Sequence, residues 1–202
     1  LCDRRQRQMC IRDRISKMLC EVNFKKINKI YKEQFMKDGK SIVLIGMPGV
    51  GKSTIGVILA KEIGYQFLDA DLLIQEQEGM LLKDIIATKG HDGFLAVENQ
   101  VNREVNAKHS VIATGGSAVY CEEAMLHYKD TCQIIYLRCP YEILSKRLGD
   151  LKGRGVALKD GQTLLDLFEE RSVLYEKYAD LIIDEGDKGI EETLEILKEK
   201  LS

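Results

Sequence analysis

Gly46-Met47-Pro48-Gly49-Val50-Gly51-Lys52-Ser53-Thr54 decides how this chain is read. A short apolar run, Ile42-Val43-Leu44-Ile45, precedes it, and an apolar-periodic segment, Ile55 to Ile63, follows. The order is strand, glycine loop, helix, and G-x-x-x-x-G-K-[ST] in that setting is a P-loop. Glycines let successive N–H groups turn inward on phosphate oxygens, and the helix adds its positive N-terminal end. Lys52 is expected to reach the β- and γ-phosphates, and the Ser53 hydroxyl to ligate Mg²⁺. A glycine-rich turn with a chance lysine would have to reproduce the spacing and both flanking elements. The chain is therefore expected to bind a nucleoside triphosphate with Mg²⁺.

Downstream, the first helix is expected over about Lys52–Ile63, stopped by Gly64 as a C-cap. A short strand, Tyr65–Leu68, runs into Asp69-Ala70-Asp71. Ligands of open α/β sheets sit beyond the carboxyl ends of the strands. One of these carboxylates can therefore serve the Mg²⁺ shell and the other accept a proton from a substrate hydroxyl. The alternative is that Asp69 or Asp71 caps the helix beginning near Leu72. Helical segments are expected at about Leu72–Glu78, Leu81–Lys89 and Phe94–Ala107, punctuated by Gly79 and Gly90. The strand Val111–Ala113 leads into Thr114-Gly115-Gly116-Ser117, where a glycine pair lets backbone approach a ligand or makes a tight turn.

Glu122–His127 reads as a helix, Gln133–Leu137 as a strand and Tyr141–Leu148 as a helix. Gly149 to Val156 breaks the apolar rhythm with three glycines, and is either a solvated connection or a lid bringing Arg154 onto phosphates. Thr163–Tyr178 reads as a helix with Leu164, Leu167, Phe168, Val173 and Leu174 as apolar contacts. The strand Asp180–Ile183 and the helix Ile190–Leu201 follow. This alternation predicts an α/β fold, a three-layer α/β/α P-loop NTPase with a parallel sheet of about five strands. His91, His109 and His127 match no metal spacing and are expected at the surface.

Composition narrows the function classes. The chain has 202 residues, 45% apolar and 31% charged, with net charge −2. The charge balance argues against nucleic acid as a partner. No apolar run approaches the ~20 residues of a membrane span. Six cysteines, at 2, 10, 20, 121, 132 and 139, form no metal-ligand pattern and suit the reducing cytosol.

Charge is uneven: residues 1–38 hold 11 Lys/Arg against 5 Asp/Glu, and the remainder 19 against 27. Residues 1–38 are expected to be an N-terminal extension, artefactual or else disordered or helical, ahead of a kinase domain over 39–202. Met9-Cys10-Ile11-Arg12-Asp13 back-translates to a transposon-end adapter, so about residues 1–14 read as translated adapter. Residues 15–35 then read as translated upstream sequence, and Met36 as the natural start. The alternative is a basic amphipathic helix bearing Ile15, Met18, Leu19, Val22, Ile27 and Ile30.

The P-loop, the D-x-D after the second strand, the glycine pair after the third, the Arg154 loop and Arg171-Ser172-Val173-Leu174-Tyr175 together resemble the shikimate kinase family. The likeness runs from about Ser41 to the C-terminus. It implies phosphorylation of shikimate from ATP, giving shikimate 3-phosphate and ADP, by a monomer in the cytoplasm. Under the resemblance Gly49, Val50, Gly51, Lys52, Ser53 and Thr54 cradle the phosphates, and Ser53 and Asp69 serve Mg²⁺. Asp71 holds the substrate hydroxyls and accepts the proton. Lys52 and Arg154 stabilise developing charge, with Arg154 on a lid over about 149–160. Gly115, Gly116 and Arg171 contact substrate, Arg171 at its carboxylate, and Arg147 lies against adenine.

Three positions depart from the family pattern. Phe-Arg-x-x-Glu becomes Phe94-Leu95-Ala96-Val97-Glu98, so Leu95 stands where an arginine would grip the substrate carboxylate. A third glycine is Ser117, and a proline after the lid arginine is Gly155. Losing a hydrogen bond to a charged group typically costs ~1.5–3 kcal/mol. Arg171 alone, Arg103 or Lys89 is expected to compensate. Otherwise the acceptor is another small hydroxylated metabolite lacking that carboxylate. A non-catalytic ATP-binding regulatory module is the rival from another class, and D-x-D with Arg154 argues against it. A nucleoside monophosphate kinase is a weaker rival.

Overall fold

A computed structural model describes residues 39–148, 162–186 and 188–201. The N-terminal extension and the lid segment with Arg154 lie outside the described residues. Five strands, β1 (Ser41–Ile45), β2 (Gln66–Asp69), β3 (Ser110–Ala113), β4 (Cys132–Arg138) and β5 (Leu181–Asp184), form one sheet. All pairs are parallel, in the order β2-β3-β1-β4-β5. Every residue of β1 is buried, as a central parallel strand with both faces covered requires. Its register sets Val43 between Ile112 and Ile134. The carboxyl ends of β1 and β3 lie side by side where the strand order reverses, and a crevice opens there.

The helices among the described residues are α1 (Lys52–Ile63), α2 (Ala70–Glu78), α3 (Leu82–Glu104), α4 (Glu122–Thr131), α5 (Tyr141–Leu148), α6 (Leu164–Tyr178) and α7 (Ile190–Leu201). The bounds of α1 match the sequence reading because left-handed glycines stand at both ends, Gly51 with φ 102° and Gly64 with φ 76°. Thr163 and Asp166 form a reciprocal capping box that starts α6.

The separate segments expected at Leu81–Lys89 and Phe94–Ala107 are the two halves of α3, which meet at Gly90, where φ 72° and ψ −179° break the helix. Gly90 is thus the corner between them. One reading needs correction. In α6, Val173 is 68% exposed rather than an apolar contact. The buried stripe is Leu167, Arg171, Tyr175 and Tyr178, spaced at helical intervals but including polar side chains. A satellite core of Ile74, Ile85, Phe94 and Val101 joins α2 to both halves of α3.

Candidate active site

The site begins with the turn between β1 and α1. Gly46 holds φ 145°, and a Cβ there would lie 2.7 Å from the carbonyl oxygen of Leu137, so only glycine fits. Gly51 precedes α1 without any side-chain cap, leaving the first-turn N–H groups aimed at the crevice. Pro48, Gly49, Gly51, Lys52, Ser53 and Thr54 form one wall of a cavity of about 430 Å³. The Val50 side chain is buried beneath that wall, so its contribution is backbone. Lys52 is buried, and its ammonium donates to the carbonyl oxygens of Gly46 at 2.7 Å and Met47 at 3.0 Å. Burial lowers its pKa to about 8, opposed first by the charge of Asp71 and reinforced by that of Arg171.

The capping reading of D-x-D holds, and it leaves Asp69 a second oxygen. Asp69 caps α2, its Oδ1 accepting from the Asp71 backbone N–H at 3.0 Å. Its Oδ2 accepts from the Ser53 hydroxyl at 2.8 Å. A serine hydroxyl and a carboxylate paired beside the P-loop are hard oxygen donors, the set that suits Mg²⁺. Asp71 turns into the cavity, and its pKa is raised by burial and then by the Asp69 charge, with Lys52 opposing.

The glycine pair closes the wall opposite. A Cβ on Gly115 would meet Glu98 Oε1 at 2.5 Å and Asp71 Oδ1 at 2.8 Å, so two carboxylates face each other across this glycine. A Cβ on Gly116 would meet Pro48 at 2.7 Å and Arg171 Nη1 at 3.0 Å. The Gly116 carbonyl accepts from the Tyr175 hydroxyl at 2.7 Å, and the Tyr175 ring stacks on Tyr136 at 5.0 Å. These contacts pin α6 so that Arg171, one turn earlier, enters the cavity. Arg171 is buried, stacked over the Tyr120 ring at 5.2 Å and donating from Nε to its hydroxyl at 3.4 Å.

The cavity therefore unites Gly49, Gly51, Lys52, Ser53, Thr54, Asp71, Gly115, Gly116 and Arg171, with Asp69 bonded to Ser53. Arg147 stands outside that lining, donating to Glu185 at 3.0 Å. Glu185 is itself buried near Gly51, so the pair flanks the P-loop. Leu95 packs against the satellite core. Neither proposed replacement for the missing arginine reaches the cavity: Arg103 pairs with Glu123 at 2.9 Å, and Lys89 pairs with Glu78.

Sequence reading misplaced one group and left a second, Glu98, without a role. His91, expected at the surface, lines the cavity with Leu82 and Ile86 from before the corner at Gly90 and Phe94 from after it. Its position directly after a glycine inside a helical pattern was the available signal. Glu98 is fully buried, and neither carboxylate oxygen has a hydrogen-bond partner among the described residues. Burial pushes its pKa up to about 7. The nearby Ser117 hydroxyl opposes that shift without a well-formed bond, Asp71 adds to it, and Arg171 and Lys52 oppose it.

The Shikimate kinase family profile matches residues 48–202. The chain is 34% identical over 154 residues to Shikimate kinase 2 of Yersinia pseudotuberculosis serotype O:3 (strain YPIII), spanning 72% of this chain and 86% of that protein. The structure of shikimate kinase from Acinetobacter baumannii in complex with shikimate superposes with a TM-score of 0.72 at 32% identity, covering 80% of this chain and 93% of that one. Shikimate kinase from Aquifex aeolicus gives a TM-score of 0.66 at 31% identity, covering 79% and 96%.

Proposed function

The chain belongs to the shikimate kinase family, and from that premise we propose how its own residues divide the ATP-dependent phosphorylation of shikimate. It is a small-molecule kinase that transfers a phosphoryl group from ATP to a hydroxyl of shikimate. The observation that carries the division of labour is one cavity with Lys52 and the P-loop on one wall and Asp71 with Arg171 on the other. In phosphoryl transfer, catalysis is mostly positioning and neutralisation of charge.

The N–H groups from Gly49 to Thr54 hold the phosphates, and Lys52 exchanges its carbonyl partners for phosphate oxygens. Ser53 and Asp69 hold Mg²⁺, which neutralises phosphate charge when bound. Asp71 orients the attacking hydroxyl and accepts its proton, and its raised pKa suits it to that task. Arg171 grips the substrate carboxylate, its guanidinium held in plane by Tyr120. Gly115 and Gly116 admit the substrate ring against bare backbone. Arg147 faces the adenine, and Arg154, assigned by resemblance, serves as the lid arginine. We assign the reaction to the cytosol, which the buried free thiols of Cys121, Cys132 and Cys139 suit. A monomer suffices, since every group named lies on one chain.

The test is shikimate-dependent ADP release by the full chain with Mg·ATP. Saturable release is expected. Tight ATP binding without acceptor-dependent release, or release with other small polyols only, would overturn the acceptor assignment.

A further inference from the structure

The acceptor wall buries a carboxyl group that the mechanism above does not use. Glu98 lies on the inward face of α3, wholly inaccessible, with both oxygens unpartnered and one of them against Gly115 opposite Asp71. One turn earlier on the same helix, Leu95 offers only an apolar side chain.

The nearby cations are engaged elsewhere. Lys52 donates to Gly46 and Met47, and Arg171 is held on Tyr120. Among the described residues, the remaining titratable groups around Glu98 are Asp71 from α2, and Cys121 and the Tyr128 hydroxyl from the α4 side, the latter donating to Asn102. None supplies a positive charge. An ionised carboxylate buried without a partner is far costlier than its neutral form, so such groups take up a proton instead.

We propose that Glu98 works as a protonated acid behind Gly115, so that the acceptor wall buries no negative charge beside the pocket. The substrate carboxylate then meets Arg171 without a second anion beside it. The proposal rests on the acceptor assignment above, and the raised pKa of Glu98, about 7, agrees with it. Ionising Glu98 places a like charge beside the bound carboxylate and weakens shikimate binding. Reciprocally, bound shikimate raises the pKa of Glu98, and each unit of that rise is a tenfold change in affinity.

The experiment measures the shikimate KM of the full chain at saturating Mg·ATP from about pH 6 to about pH 9. The wild type is expected to show a KM rising roughly tenfold across neutrality. Glu98→Gln carries a permanent donor and no charge, so its KM should stay level at the alkaline end. Titration of Lys52 is common to both proteins and cancels in the comparison. Leu95→Arg, which supplies the missing cation and keeps Glu98 ionised throughout, should also remove the rise.

A wild-type KM that does not change with pH, or an equal alkaline rise in Glu98→Gln or Leu95→Arg, overturns the proposal. Infrared difference spectra of wild type against Glu98→Gln at about pH 6 give a readout independent of turnover, since pH 6 lies below the group's raised pKa. A buried carboxylic-acid carbonyl band is expected, and a carboxylate band alone overturns the proposal. Failure of the wild type to release ADP with shikimate would instead remove the acceptor assignment, and the proposal with it.

Discussion

The two walls of the cavity are built on different logic. The phosphate wall is a run of consecutive residues whose work is done by backbone, fixed by glycines at φ 145°, 81° and 102° for Gly46, Gly49 and Gly51. Its one long side chain, Lys52, is satisfied by two carbonyls of the same loop. The acceptor wall is assembled from Asp71, His91, Gly115 and Arg171, which come from four separate stretches of chain, with Glu98 buried behind Gly115. Behind it lies a buried carboxyl with no hydrogen-bond partner among the described residues. Phosphate is the same in every kinase of this architecture, so the wall that meets it tolerates little change. The acceptor wall carries the choice of substrate and has more room to drift.

That contrast makes measurable claims, and the largest effect belongs to the phosphate wall. Lys52→Ala should lower kcat by about a thousandfold or more, because a preorganised charge at the transferring group is lost. Turnover within tenfold of wild type would remove Lys52 from the chemistry. On the acceptor wall, Asp71→Asn should lower kcat by about a hundredfold to ten-thousandfold while nucleotide affinity is kept. Near-native turnover in that variant would refute the proton-acceptor role. Arg171→Lys should raise the shikimate KM roughly ten- to a hundredfold and leave the ATP KM in place, the signature of a lost bidentate grip. Equal damage to both KM values would mean that the two walls are not independent.

The smallest effect concerns stability. Because the folded-state pKa of Glu98 is raised, the native state binds this proton more tightly than the unfolded chain does. Stability due to this group is therefore complete below its unfolded pKa, near 4.3, and is lost as pH rises toward about 7. Relative to wild type, Glu98→Gln should gain about 1–3 kcal/mol in denaturant unfolding near pH 8 over its value near pH 4.5. A difference that does not change with pH would mean that Glu98 is compensated in the folded protein.

The same division explains what the sequence disclosed. Local spacing carried the phosphate wall: the motif, the strand before it and the glycine-bounded α1 all stand in one stretch. It also carried the alternation of strands and helices, hence the parallel sheet. The acceptor wall was legible only where short motifs marked it, as D-x-D, Gly-Gly and Arg171 did. The place of His91 depends on how α3 bends at Gly90, which no spacing records, and the family pattern that marked Glu98 said nothing of its burial. Val173 was misread because the buried face of α6 mixes Arg171 and two tyrosines with Leu167, so counting apolar residues selects the wrong face. Asp69 posed a false choice, since one carboxylate has two oxygens and uses one for the helix cap and the other for Ser53.

The corner at Gly90 has a practical consequence. Leu82 and Ile86 before that joint and His91 and Phe94 after it all line the cavity, so the bend wraps one helix around the acceptor. A library confined to Leu82, Ile86 and His91 therefore varies the mould for the incoming alcohol and leaves the nucleotide grip unedited. For a chemist designing inhibitors, the same joint marks where selectivity is to be sought. Compounds that reach past the phosphates to this bent helix meet the acceptor side of the cavity rather than the nucleotide grip.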